Sequence, residues 1–169
     1  MTTRSAVDAT ELRAVCSHFA TGVSVVTSGP VGTPSATTVN SFTSVSLEPP
    51  LILICLGERS SLRPVVRRHG GFVVNFLAYE QEKLAWAFAG RRPPGPDDIV
   101  PAASATGRPV LRDALAYLSC RLFAEHEAGD HSILLGEVEQ LGTHHREREP
   151  LVFYRGAMRP LPAVQIAVL

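Results

Sequence analysis

Between Thr37 and Leu56 the pattern of polar and apolar positions changes abruptly. Thr37, Val39, Thr43 and Val45 are β-branched and alternate with short polar residues, which reads as a strand over Ser35–Ser46. Glu48-Pro49-Pro50 breaks it, because proline cannot donate to a ladder. The unbroken apolar run Leu51–Leu56 then predicts a strand buried on both faces. Upstream, Leu12, Val15, Cys16 and Phe19 recur at helical spacing, so a helix is expected over Asp8–Ala20, capped by Asp8 or Thr10 and ended by Gly22. Val23–Ser28 reads as a strand and Gly29–Pro34 as a turn.

Ser60 or Ser61 caps a second expected helix, with Pro64 in its first turn and Gly70-Gly71 at its end. Phe72–Leu77 is a strand, and Gln81–Ala89 a short helix with Leu84, Ala85 and Phe88 inward. Gly90–Pro109, rich in Arg, Pro and Gly, is a long surface loop. Ala116–Glu125 and Ser132–Gly142 form two long strands joined at Gly129-Asp130, and Leu151–Tyr154 is the last strand. The apolar tail Leu161–Leu169 has no assigned place. Many short strands with Gly/Pro turns and few helices predict a mainly β fold closed into a barrel.

The 169 residues are read as one domain, with 1–8 and 161–169 as terminal segments. The formal net charge is zero, so nothing favours nucleic acid or an anionic membrane. No apolar run reaches membrane-spanning length, and the N-terminus lacks the apolar core of a signal peptide. Cys16, Cys55 and Cys120 are far apart and form no CxxC pair, so all three are expected to be reduced core thiols of a cytoplasmic protein.

The crowded Ser, Thr and Asn groups of Thr37–Ser46 need partners, and a flat polar ligand would supply them. A helix starting at Ser60-Ser61 presents free N–H groups and partial positive charge to a phosphate, with Arg59 beside it; plain helix capping and a solvated arginine are the bland alternatives. Asn75 lies mid-strand and is expected to make structural hydrogen bonds. Trp86 and Phe88 are assigned to core packing, and His144-His145 to solvent. His126, Glu127, Asp130 and His131 are a conceivable metal cluster without a spacing signature, so no metal is assigned.

Thr38-Val39-Asn40-Ser41-Phe42-Thr43-Ser44-Val45-Ser46-Leu47-Glu48-Pro49-Pro50, with the apolar run after it, Phe19–Val23 before it and Gly129-Asp130-His131 after it, resembles the short-chain flavin reductase family. The resemblance runs from about Leu12 to about Pro160. It implies a Greek-key split β-barrel with a few short helices, binding FMN (or FAD) at a homodimer interface. It also implies an NADH- or NADPH-dependent reductase supplying a flavin-dependent oxygenase component. By the same resemblance Thr38, Val39, Asn40 and Ser41 line the flavin, with Ser44 and Val45 near. Cys55, Leu56, Arg59, Ser60 and Ser61 follow its ribityl chain and phosphate, and Tyr154 touches it. Gly129, Asp130, His131 and Arg155 meet the nicotinamide dinucleotide, with His131 as the catalytic-site residue. Arg63, Arg67, Arg68, Arg91 and Arg92 are candidate readers of a 2′-phosphate. The chain departs from the family pattern at His18, where arginine is usual, at Ala36 or Thr37, where glycine is usual, and at Asp97-Asp98-Ile99. A flavin-binding homologue diverted to another reaction is the alternative these departures keep open.

Overall fold

The computed structural model describes residues 7–90, 99–101 and 106–161. In chain order its elements are α1 (Ala9–Cys16), β1 (Thr21–Gly22), β2 (Ser24–Ser28), β3 (Ser35–Val39), β4 (Thr43–Leu47) and β5 (Pro50–Gly57). Then come α2 (Leu62–His69), β6 (Gly71–Phe76), a 3₁₀ turn (Tyr79–Gln81), α3 (Glu82–Ala89), β7 (Ile99–Pro101) and β8 (Pro109–Leu111). The chain closes with β9 (Ala116–Ala128), β10 (His131–Thr143), β11 (Leu151–Tyr154) and β12 (Ala157–Pro160). The fold is mostly β with a few short helices, as expected.

Seven strands form one antiparallel sheet in the order β3-β2-β6-β9-β10-β5-β4. β3 and β4 follow each other in sequence yet sit at opposite edges, so the single expected strand Ser35–Ser46 is broken at Asn40–Phe42. The Ser41 hydroxyl crosses that break, accepting from Cys55 N–H at 2.9 Å and donating to Cys55 C=O at 3.1 Å. The sheet therefore rolls until β3 faces β5. A second sheet, β1-β11-β12, adds a strand that sequence pattern did not reveal, β12.

The core has two parts. Ile52, Ile54 and Leu56 of β5 join Phe72, Val74, Cys120 and Leu134 under Leu62 and Val66 of α2. Val23, Val25, Leu77, Leu111 and Leu151 pack under Ala85 and Phe88 of α3. Only alternate residues of Leu51–Leu56 are buried; Leu51, Leu53 and Cys55 are half-exposed on the outer face, so the apolar run buries one face rather than two. α1 is capped as expected, Asp8 Oδ1 accepting from Thr10 N–H at 2.7 Å. It stops at Cys16, however, because Thr21 and Gly22 are drawn into pairing with Phe153 and Val152. α1 buries no residue, which leaves Cys16 exposed, Cys55 half-buried and only Cys120 in the core. Burial pushes the Cys120 thiol up to about 12.

The long 90–109 loop contains β7, paired with β8; its residues 91–98 and 102–105, with Arg91, Arg92 and Asp97-Asp98, lie outside the described residues, as does the tail beyond Leu161. Asn75 performs the structural role expected of it. Its Nδ2 donates to Val25 C=O at 2.9 Å and its Oδ1 accepts from Leu111 N–H at 2.9 Å, tying β2, β6 and β8 together inside the core. Asn75→Leu strands both groups in an apolar interior and is expected to cost about 3 kcal/mol, read as a lower urea midpoint with unchanged m-value.

Candidate functional site

The roll of the sheet leaves two strand edges facing each other. β3 is paired only through β2, and β5 is paired with β4 only as far as Leu53, whereas its β10 partner extends to Gly57. The Ile54–Gly57 edge therefore looks across a gap at β3. Alternation along β5 turns the Gly57 N–H to the same side as the Cys55 groups that Ser41 holds. The gap is a polar trough whose walls are largely backbone.

It has two joined chambers. The first, about 230 Å³, is lined by Thr37, Thr38, Val39, Asn40 and Ser41 on one side, by Cys55, Leu56, Gly57 and Ser60 on the other, with His131 at its rim. The second, about 330 Å³, shares Thr37, Gly57 and Ser60 and continues past Ser35 and Arg59 to Pro34 and Ala89. Thus Thr38, Val39, Asn40, Ser41, Cys55, Leu56, Arg59, Ser60, Ser61 and His131, all named as site candidates from the family resemblance, line this one trough. Thr38 and Ser41 hydroxyls are already engaged, Thr38 donating to Ala85 C=O at 2.7 Å and Ser41 bridging to Cys55. They shape the walls rather than stand free.

His131 pairs with Gly57 across β10 and β5, and its Nε2 lies 3.7 Å from where a Cβ on Gly57 would stand. The missing side chain lets the imidazole lean over the strand. The Asp130 carboxylate, at 2.8 Å, faces His131 Nδ1, directing Nε2 the other way. That hydrogen bond, with the nearby imidazole charge, holds the Asp130 carboxyl below its usual range. Gly129, at φ +66°, makes the two-residue turn that places this pair at the hairpin tip.

α2 starts at the junction of the chambers. Ser61 precedes its first residue without capping it through its side chain, so the first-turn N–H groups keep no hydroxyl partner from that residue. Farther along α2, Glu125 clamps two arginines, bonding Arg63 Nε at 2.5 Å and Arg67 Nε at 2.6 Å. Arg63 and Arg67, both candidate readers of a 2′-phosphate, are therefore held by one shared carboxylate. Arg68 remains exposed on the same helix.

Other expected residues lie elsewhere. Ser44 and Val45 are exposed on β4, outside the trough walls. Tyr154 is exposed and meets the His18 ring edge-on at 6.5 Å, and Arg155 sits in the β11–β12 turn, its N–H donating to Ser17 C=O at 3.0 Å. Phe88 is buried as expected, but Trp86 is exposed, its Nε1–H donating to Glu82 at 3.2 Å. Pattern reasoning missed Pro34, Ser35, Gly57 and Ala89 as wall residues. Gly57 had a local signal, a glycine closing an apolar strand just before the Arg59-Ser60-Ser61 helix start.

The model of the flavin reductase like domain matches residues 16–162. A flavin-dependent monooxygenase reductase subunit of Rhodococcus jostii (strain RHA1) is 38% identical over 151 residues, covering 89% of this chain and 77% of that protein. An NADH-dependent FMN reductase of Streptomyces nodosus subsp. asukaensis is 40% identical over 156 residues, covering 90% and 84%. The solved structure of an NADH:FAD oxidoreductase of Streptomyces globisporus C-1027 matches with a TM-score of 0.83 at 38% identity, covering 96% of this chain and 100% of that one.

The clamp that anchors α2 beside the trough has a pH signature. Burial pushes the Glu125 carboxyl up, but the bonds from Arg67 and Arg63 outweigh it and leave the group below its ordinary value of 4.5. A carboxylate depressed in the folded state contributes stability above its unfolded pKa and loses it as pH falls through the folded one. Glu125→Gln is expected to cost about 1–2 kcal/mol at pH 7. The difference from wild type should vanish in denaturation curves below the ordinary carboxylate range.

Proposed function

Because the chain belongs to the flavin reductase like domain family, we propose that it is an NADH-dependent flavin reductase that hands reduced FMN or FAD to a partner flavin-dependent oxygenase. The observation that carries this reading is the seam trough. It offers neutral backbone groups along a flat slot, a helix start at its middle and an imidazole at one rim. These residues fit a flavin. Backbone groups of β3 and Gly57 suit the hydrogen-bonding edge of a ring system, and the start of α2 with Ser60, Ser61 and Arg59 suits a phosphate.

When bound, the flavin supplies the acceptor for hydride from the nicotinamide. The protein's part is to hold and orient. Thr38 through Ser41 and Cys55 through Gly57 wall the first chamber and limit water there. Among the described residues, Cys55 and His131 are the titrating side chains that line that chamber, and the rest of its wall offers dipoles to charge developing during reduction. His131, with Nδ1 held toward Asp130, presents Nε2 at the rim as the polar contact for the dinucleotide.

The proposal includes a homodimer. Leu12, Val15 and Phe19 are 54%, 71% and 77% exposed, and Phe19 lines a largely apolar hollow of about 500 Å³ between α1 and β11. A second copy covering this face would bring its surface up to Asn40, which lines both the hollow and the first chamber. No helix among the described residues is long and apolar enough to cross a membrane. The free thiols of Cys16, Cys55 and Cys120 fit a reducing, cytoplasmic compartment.

The test is NADH oxidation followed at 340 nm with and without added FMN or FAD. Turnover only in the presence of flavin is expected, and flavin binding without turnover would contradict the reading. His131→Ala should lower kcat/KM for NADH about tenfold, the worth of roughly 1.4 kcal/mol, while flavin affinity stays within about twofold of wild type.

A further inference from the structure

Next to the trough, across Asn40, the hollow between α1 and β11 has a different chemistry. The trough walls are largely backbone and neutral. The hollow is walled instead by two phenyl rings, Phe19 and Phe153, with the Arg13 side chain at its edge. Thr21 stands opposite Phe153 in the β1–β11 pair, so the two side chains point to the same side. At about 500 Å³ the space is larger than either chamber of the trough. Small-molecule pockets span about 300–1,000 Å³.

Much of the polarity around the hollow is already engaged. Arg13, Val15 and Cys16 C=O accept from the N–H groups of Ser17, His18 and Phe19, and Ser17 C=O accepts from Arg155 N–H. The Ser17 hydroxyl donates to Ala14 C=O at 2.7 Å. Two side-chain groups are not engaged. The Thr21 hydroxyl is buried and has no hydrogen-bond partner among the described residues. The Arg13 guanidinium makes no ion pair among them, in contrast to Arg63 and Arg67 on Glu125. The Asp130 carboxylate feels the Arg13 charge but is bonded to His131. A guanidinium matches a carboxylate through two parallel bonds, and phenyl rings favour an aromatic ring set edge-on or offset against them. A buried hydroxyl without a partner calls for one. We infer that the hollow is a binding site for a small aromatic carboxylate, with the carboxylate at Arg13, the ring against Phe19 and Phe153, and the Thr21 hydroxyl as a further polar contact. The inference is independent of the reductase reading, because none of these four residues is assigned to flavin or dinucleotide.

The experiment is equilibrium dialysis of the full chain against radiolabelled 4-hydroxybenzoate, with and without saturating FMN. Binding with a Kd of about 100 µM or tighter is expected, changed less than about twofold by FMN. Arg13→Gln, at an exposed helix position, should weaken it about tenfold or more. Thr21→Val removes the hydroxyl and keeps the shape; it should weaken binding about threefold while the thermal midpoint stays level or rises. The saturated ring acid 4-hydroxycyclohexanecarboxylate should compete about fivefold less well than the aromatic one. No binding at millimolar acid overturns the inference, and is the result if a second copy fills the hollow. Displacement of the acid by FMN overturns it as well, because the acid then lies in the trough. So does full affinity in Arg13→Gln, or a saturated ring that competes equally.

Discussion

Everything at the site depends on one short crossing. Between Val39 and Thr43 the chain leaves one edge of the seven-stranded sheet and enters the other. That is possible only if the sheet is rolled, and the Ser41 hydroxyl fastens the roll by satisfying both backbone groups of Cys55. An unpaired strand edge is ordinarily a liability, because its N–H and C=O groups solicit other chains. Here two such edges, β3 and the end of β5, are turned toward each other just too far apart to pair. The trough is what remains, and its polarity comes from backbone that a closed barrel would have consumed.

The surrounding interactions keep that gap at its width. Thr38 ties β3 to α3 through Ala85 C=O, and Asn75 holds β2, β6 and β8 in register behind it. Glu125 fixes α2 through Arg63 and Arg67, so the helix start cannot drift from the junction of the chambers. The long β9–β10 hairpin carries Asp130 and His131 to the rim by its register with β5. A ligand then meets a preformed slot, and little binding energy is spent on ordering the walls.

Much of this was legible in the sequence, for physical reasons that differ by element. Strands β2, β6, β9 and β10 announced themselves because burial writes β-branched and apolar runs bounded by Gly and Pro. The helix start at Ser60-Ser61 and the turn at Gly129-Asp130 were legible because local backbone chemistry sets them. Wall residues Thr38 through Ser41, Cys55, Leu56 and Arg59 through Ser61 came from motif resemblance. The break at Asn40–Phe42 was not legible, because Thr37–Ser46 keeps strand-like composition throughout and only the global roll requires the interruption. Nor were the early end of α1 and the exposure of Cys16, since the pairing of Thr21-Gly22 with β11 is set by residues far along the chain. Pro34 and Ala89 became wall residues through packing of α3 on β3, which no local pattern records.

The most direct measurement of the central claim is a crystal structure of the protein with bound flavin. The account predicts a ring system between β3 and the end of β5, beside His131, with phosphate oxygens at the N–H groups that start α2. A flavin bound outside the seam, or one whose phosphate points away from Ser60 and Ser61, would contradict it.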